Sequence, residues 1–288
     1  MIVITGATGQ LGRLVIDELL KSTEAKNIVA AVRTPAKGND FAERGIQVRE
    51  ADYSRPETLA AAFQGASRLL LVSGNELGKR EEQHKAVIDA AKAAGITFVA
   101  YTSLLHCDTS PLELAKEHLA TEQYLVSSGL RYSLLRNGWY FENQTAAIQP
   151  AIQNGTFIGA SGEGRFAAAS RSDYAAAASV VLTREGQEDS ILELGGDHPY
   201  TRAELAAEVS RQTGKLIGYH NLSEAEYKKV LTNFLPAMFA KVIADAEAHA
   251  AQGALDDDSH TLSRLLGRPT TSLAEAVKSA LRKPPTAH

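Results

Sequence analysis

Cysteine is almost absent: Cys107 stands alone in 288 residues. One thiol forms neither an intramolecular disulfide nor a multi-cysteine zinc or iron–sulfur site, and this usage fits a reducing compartment. Long apolar runs are also lacking. The longest, Ala175–Leu182, spans 8 residues, against the roughly 20 that a membrane helix requires. The opening Met1-Ile-Val-Ile-Thr-Gly6 has no basic residue ahead of its apolar run, which Gly6 breaks at once. It does not read as a signal peptide, so the expected location is the cytoplasm, with no membrane as partner. An excess of positive charge is missing as well. The chain has 30 Lys+Arg against 34 Asp+Glu, a net charge of -4, and no basic stripe of the kind a phosphate backbone needs, so nucleic acid is not an expected partner. What is present is an ordinary globular composition, 44% hydrophobic and 22% charged, which removes disordered, collagen-like and coiled-coil readings. The length accommodates a main domain with a smaller lobe.

From the start to about Arg136, short β-branched runs alternate with helix-periodic segments. The runs are Ile2–Thr5, Ile28–Val32, Ile46–Val48, Leu69–Val72, Phe98–Thr102 and Tyr132–Leu135. Repeated βαβ units with right-handed crossovers build a parallel sheet, so the expected fold is α/β, a doubly wound Rossmann-type sheet. Leu11, Leu14, Val15, Leu19 and Leu20 recur at helical spacing, and Pro56 two residues after Ser54 marks a further helix start. After Arg136 helical patterns dominate: Ala146–Gln153, Ser172–Leu182, Thr201–Thr213, Ser223–Leu231, Pro236–Gln252 and Ser272–Leu281. The expected division is a dinucleotide-binding core over 1–136 and a mainly substrate-binding, mostly helical lobe over 137–288, with segments returning to the core. Gly155, Gly159, Gly162 and Gly164 mark a loop-rich connection, and Lys283–His288 has the composition of a frayed tail. Asp256-Asp257-Asp258 offers either a metal site or, as the reading adopted, a helix start before Leu262, Leu265 and Leu266. No metal site is expected.

Thr5-Gly6-Ala7-Thr8-Gly9-Gln10-Leu11-Gly12 lies between the first strand and the first helix. A dinucleotide requires a tight turn at Gly6, no side chain at Gly9 where a pyrophosphate approaches backbone N–H groups, and close packing of the helix at Gly12. The second strand ends Ala30-Ala31-Val32-Arg33-Thr34, without the acid that accepts bonds from a ribose 2′-hydroxyl in NAD enzymes. Arg33 offers a planar cation for a 2′-phosphate and Lys37 a second charge, so NADPH is the expected cofactor; the alternative for Arg33 is a solvated surface residue. Asp52 reads equally as an acceptor for an adenine amino group and as a turn former before Tyr53.

The Gly-x-x-Gly-x-x-Gly spacing, with Tyr101-Thr-Ser-Leu-Leu-His106 and Leu135-Arg-Asn-Gly-Trp-Tyr140, resembles the NmrA-like branch of the atypical short-chain dehydrogenases. Within that branch the resemblance is nearest to the bacterial NADPH:quinone oxidoreductase 2 type, with flavin-free azo-dye and triphenylmethane-dye reductases as relatives. It covers nearly the whole chain. The resemblance implies cofactor contacts at Gly6, Thr8, Gly9, Gln10, Leu11, Gly12, Arg33, Ser73, Gly74 and Asn75, and again at Asn137, Gly138, Trp139, Tyr140 and onward to Glu142. Arg171 is implied as a phosphate or loop contact.

Ordinary short-chain dehydrogenases use Tyr-x-x-x-Lys on one helix face, the lysine lowering the tyrosine pKa. No tyrosine here is followed four residues later by lysine. His118 and Glu122 occupy that spacing instead, so His118 is a candidate proton donor or, equally, a structural partner of Glu122; Tyr140 is a second catalytic candidate. The absent pair has a chemical meaning, because a quinone accepts hydride without a strong general acid. A hydroxyazo dye in its hydrazone form is a vinylogous quinone, and a triarylmethane cation accepts hydride directly. Trp139, Tyr140 and Phe141, with Asn143, are candidate walls for such a planar substrate, the alternative for the three rings being core cover. The leading expectation is a flavin-free NADPH-dependent quinone reductase acting as monomer or homodimer. The alternatives are an azo- or triphenylmethane-dye reductase and, from another class, an NmrA-like NADP(H)-sensing regulator.

Overall fold

The computed structural model describes residues 1–282; the expected tail Lys283–His288 lies outside the described residues. The strands are β1 (Ile2–Ile4), β2 (Ile28–Val32), β3 (Gln47–Glu50), β4 (Arg68–Leu71), β5 (Phe98–Leu104), β6 (Arg131–Asn137), β7 (Thr156–Gly159), β8 (Arg165–Phe166), β9 (Ser190–Leu194), β10 (Tyr200–Thr201) and β11 (Gly218–Asn221). The α-helices are α1 (Gln10–Leu19), α2 (Asn39–Glu43), α3 (Pro56–Phe63), α4 (Arg80–Ala93), α5 (Ala115–Ser127), α6 (Phe141–Thr145) and α7 (Ile148–Asn154). They continue with α8 (Arg171–Thr183), α9 (Arg202–Thr213), α10 (Glu224–Leu231), α11 (Ala237–Ala250), α12 (Thr261–Leu266) and α13 (Leu273–Arg282). No helix among the described residues is long and apolar enough to cross a membrane.

The chain divides into two compact units. The first comprises Met1–Cys107, Lys116–Asn137 and Arg171–Leu192; the second comprises Asp108–Ala115, Gly138–Ser170 and the described residues from Glu193 onward. A seven-stranded sheet in the order β3-β2-β1-β4-β5-β6-β9 organises the first, and its neighbouring pairs from β3 through β6 are parallel. The doubly wound reading thus stands, with β9 as a seventh strand that the apolar runs did not reveal. Ser-Ile-Leu-Glu-Leu is partly exposed along its length, so it carries less of the continuous apolar signal that marks β2 and β5, whose residues are all buried. One face of the sheet packs against α3, α4 and α5 through Leu59, Phe63, Val87, Ile88 and Leu125, meeting Val3, Val29, Leu69, Val99 and Leu134. Helix α1 buries Leu11, Val15, Ile16 and Leu19 and packs along α8, which buries Tyr174, Ala178, Val181 and Leu182.

The strand order reverses between β1 and β4. At such a switch point two loops leave the carboxyl ends of adjacent strands in opposite directions and open a crevice, where ligands bind in doubly wound sheets.

The second unit is helical around two small sheets, antiparallel β10-β8 and parallel β11-β7. Its helix starts follow local chemistry. Thr201 and Glu204 form a reciprocal capping box on α9, and Ser223 and Glu226 form another on α10. The aspartate run behaves differently from the expected helix start. Helix α12 begins at Thr261 behind a left-handed His260, with no acid in its first turn. Asp257 instead accepts a hydrogen bond from Ser259 Oγ at 2.7 Å, a short-range side-chain bond that competes with helix capping. Among the described residues no group of three or more His, Cys, Asp or Glu side chains is placed to hold a metal.

Candidate cofactor and active site

Gly6 adopts φ +57, a left-handed conformation that glycine enters without steric cost. The turn closes when Gly9 N–H donates to Gly6 O at 2.9 Å. Gly9 then serves as the N-cap of α1, where no side chain caps the helix and no acid occupies the first turn. Orphan N–H donors and the positive end of the helix dipole are thereby left for an anion. Gly12 is buried, and a Cβ there would stand 2.5 Å from Gly6 O and 2.8 Å from Ala7 Cα. Its closeness is therefore to the turn itself, which α1 presses upon, rather than to the strand. These features fit a dinucleotide diphosphate: a glycine cradle, an uncapped ten-residue helix, and a position at the switch point.

Three further loops leave the carboxyl ends of neighbouring strands. After β2, Arg33 is exposed and its Nη1 donates to Glu76 Oε1 at 3.2 Å. Lys37 is exposed in a short 3-10 turn. After β3, Asp52 takes the turn reading, its Oδ1 accepting from Ser54 N–H at 3.0 Å. After β4, Ser73 N–H donates to Thr102 Oγ1 at 2.8 Å and Gly74 N–H to His84 Nε2 at 2.9 Å. Arg80 Nε returns a bond to Gly74 O at 2.9 Å, and Glu117 accepts from both Gly78 N–H and Arg80. Asn75 projects to the surface from this fastened loop.

Because His84 Nε2 accepts, its hydrogen is on Nδ1, which bonds Thr121 Oγ1 at 3.0 Å; Thr121 donates onward to Glu117 O at 2.9 Å. Burial foremost, and then the Arg80 charge, lowers the His84 pKa from an ordinary 6.5 to about 3. The unfolded chain takes up a proton below its ordinary pKa that folded His84 refuses. The contribution of His84 to stability is therefore fully present above pH 6.5 and declines as pH falls toward about 3. The expected loss is on the order of 1 to 3 kcal/mol by about pH 4. Thermal melts across that range check this: His84→Gln should flatten the acid limb, and an unchanged slope would assign the loss to other groups.

His118 is 5% exposed and hydrogen-bonded through Nδ1 to the Tyr101 hydroxyl at 2.7 Å. Burial, reinforced by Arg80 and His84, holds its pKa well below the ordinary value, so it is a neutral imidazole. Its structural partner is therefore Tyr101 and not Glu122, a correction to the expected pairing. Glu122 lies among different groups. Arg136 donates to both its oxygens, Nε to Oε1 at 3.0 Å and Nη2 to Oε2 at 2.7 Å, and Ser103 Oγ donates to Oε1 at 2.5 Å. Helical spacing put His118 and Glu122 on one face, but β5 and β6 deliver separate partners to each. Cys107 is buried, and that burial, with the Glu122 charge beside it, raises its thiol pKa to about 12.

The remaining candidates fall in both units. Asn137 ends β6, its carbonyl accepting from Leu105 N–H at 3.0 Å, and Arg171 opens α8; both belong to the first unit. Gly138, Trp139, Tyr140, Phe141 and Asn143 belong to the second. There Trp139 O accepts from Ala169 N–H at 3.2 Å and Phe141 N–H donates to Ala169 O at 3.0 Å, pinning the segment to Ala169. Trp139 and Tyr140 are half-buried and Asn143 is exposed. Phe141 is 3% exposed and stacks on Tyr200 with centroids 5.4 Å apart, so of the three rings it is the one that fills core. Reading along the chain did not find Arg80, His84, Glu117 or Tyr53, whose hydroxyl bonds Thr5 Oγ1 at 2.6 Å. For the helical ones the sequence signal is polar residues on otherwise buried helix faces, as at Arg80, Gln83 and His84 of α4, while Tyr53 lies in the turn after β3.

A family model described as NAD(P)H-binding matches residues 6–185. The chain is 53% identical over 278 residues to Quinone oxidoreductase 2 of Escherichia coli (strain K12), spanning 96% of this chain and 97% of the relative. An NADPH-dependent quinone oxidoreductase from Escherichia coli, solved in complex with NADPH, is similar with a TM-score of 0.96 at 52% identity, over 98% of this chain and 100% of that one. The triphenylmethane reductase of Citrobacter sp. complexed with NADP(H) is similar with a TM-score of 0.94 at 36% identity, over 97% and 100% of the respective chains.

Proposed function

The chain belongs to the NAD(P)H-binding family, and from that membership we propose that it is an NADPH-dependent, flavin-free reductase of quinones and quinone-like aromatic compounds. NADPH, when bound, supplies a hydride to the acceptor. The protein's residues bind and orient. The N–H groups of the Gly6–Gly12 turn and the α1 N-terminus would hold the diphosphate, Arg33 would pair with the 2′-phosphate, and the fastened Ser73–Asn75 backbone would line the cofactor further along. Trp139 and Tyr140, two and three residues beyond the end of β6, present flat rings to a planar acceptor, and Arg171 supports the cofactor phosphates. The cytoplasm suits a lone, buried cysteine outside any disulfide, Cys107.

One observation carries this reading. The sequence has no Tyr-x-x-x-Lys pair, and on α5 His118 is buried, neutral and hydrogen-bonded to the Tyr101 hydroxyl. Such an imidazole is not a strong acid for a basic alkoxide. A reduced quinone is a weakly basic oxyanion that water protonates, so the site suits that acceptor class. Triarylmethane cations need no proton at all, and the similarity to a triphenylmethane reductase favours them as a second acceptor class.

The test is steady-state turnover with benzoquinone, a hydroxyazo dye and a triphenylmethane dye. NADPH oxidation is expected with benzoquinone, from a colourless protein. Arg33→Ala should lower kcat/KM for NADPH about ten- to a hundredfold, the worth of a charge-assisted contact, and leave NADH nearly unchanged. A flavin spectrum, or no oxidation with any of the three, defeats the proposal. Equal losses with both cofactors would remove Arg33 from the 2′-phosphate.

A further inference from the structure

Arg33 already carries a carboxylate. Its Nη1 donates to Glu76 Oε1 at 3.2 Å, linking the end of β2 to the loop after β4 across the first strand. Glu76 is not a freely swinging surface acid. Its second oxygen accepts from Gln83 Nε2 at 3.2 Å, and Gln83, 6% exposed on α4, also donates to Ser54 Oγ at 2.9 Å. The loop around Glu76 is fastened at Gly74 by His84 and Arg80 and at Gly78 by Glu117. Lys79 stands 3.6 Å from Glu76 Oε2 as a further cation. The carboxylate is thus held from behind by a buried amide and aimed forward at the one arginine that follows β2.

We propose that Glu76 is a specificity-determining residue: it occupies Arg33 until a 2′-phosphate displaces it, and so sets how strongly the protein prefers the phosphorylated cofactor. The inference rests on the proposed pairing of Arg33 with the 2′-phosphate. A guanidinium has five donors in one plane, but charge is a shared resource. A phosphate arriving at Arg33 meets a competing anion and is repelled by it while both remain near. NADH brings no such charge and leaves the Arg33–Glu76 pair intact. The surface position, with side-chain exposures of 69% and 36%, makes the competition modest and sensitive to salt.

The test is equilibrium binding of NADPH and of NADH by nicotinamide fluorescence, without acceptor, in four proteins: the parent, Glu76→Gln, Arg33→Ala and the double variant. Glu76→Gln should tighten NADPH roughly two- to tenfold at low salt, less at high salt, with NADH unchanged. Arg33→Ala should weaken NADPH, and in that background Glu76→Gln should no longer tighten it. Four results overturn the proposal: no change in Glu76→Gln while Arg33→Ala still weakens NADPH, weaker binding of either cofactor, equal tightening of NADH, or equal tightening without Arg33. If Arg33→Ala leaves NADPH binding unchanged, the 2′-phosphate assignment itself fails, and that outcome is distinct from the other four. Matching thermal midpoints of the parent and Glu76→Gln exclude a folding origin.

Discussion

Arg136→Met is expected to destabilise the protein by about 3 to 5 kcal/mol, because it leaves the Glu122 carboxylate buried without its cation. Both side chains are nearly inaccessible, at 4% and 3% exposure, and meet through two parallel bonds. Water cannot replace the lost donors, and Ser103 supplies only one hydroxyl. The pair itself need not be worth that much. Removing both charges together, as Arg136→Met with Glu122→Leu, should recover most of the loss, since an apolar pair of similar volume avoids the desolvation of two ions. Urea denaturation of the two singles and the double checks this. A single-variant loss below about 1 kcal/mol would mean the pair is solvated like an ordinary surface bridge. The consequence reaches the site, since Arg136 precedes Asn137 at the end of β6.

Gly12→Ala should lose about 2 to 3 kcal/mol of stability and most of the NADPH affinity, because the new methyl lands on backbone that has no flexible end to swing away. The clash at 2.5 Å is with Gly6 O, the same atom that closes the glycine turn on Gly9 N–H. Either the helix retreats or the turn opens, and each spoils the cradle. Gly9→Ala makes the contrast. Its methyl would stand 3.1 Å from Gly6 O, a contact relieved by a few tenths of an ångström, so the fold should survive while the methyl crowds the exposed N–H donors. Thermal melts with NADPH titrations separate the two variants: Gly12→Ala loses both stability and binding, Gly9→Ala mainly binding. Full NADPH affinity in a well-folded Gly12→Ala would place the diphosphate elsewhere.

The doubly wound sheet, the glycine turn at its first crossover and the place of Arg33 one residue past β2 were all legible in the sequence. Each depends on neighbours in the chain: a β-branched run buried on both faces, a turn that needs a positive φ, a residue one step past a strand. The helical stretches beginning near Thr201 and Ser223 were legible for the same reason, whereas the capping boxes that start α9 and α10 emerged with the structure. What only the tertiary structure decided is which side chains meet across the sheet. His118 and Glu122 share a helix face, yet Tyr101 of β5 takes the first and Arg136 of β6 the second. Phe141 sits among aromatics that read as a substrate wall, but Tyr200, far along the chain, stacks upon it. Local spacing orders residues along one element, whereas pKa, charge pairing and burial are set by groups that other elements bring within a few ångströms. That is why the fold and the glycine turn could be read along the chain, while the neutrality of His118 and the Glu76 carboxylate on Arg33 required the packed molecule.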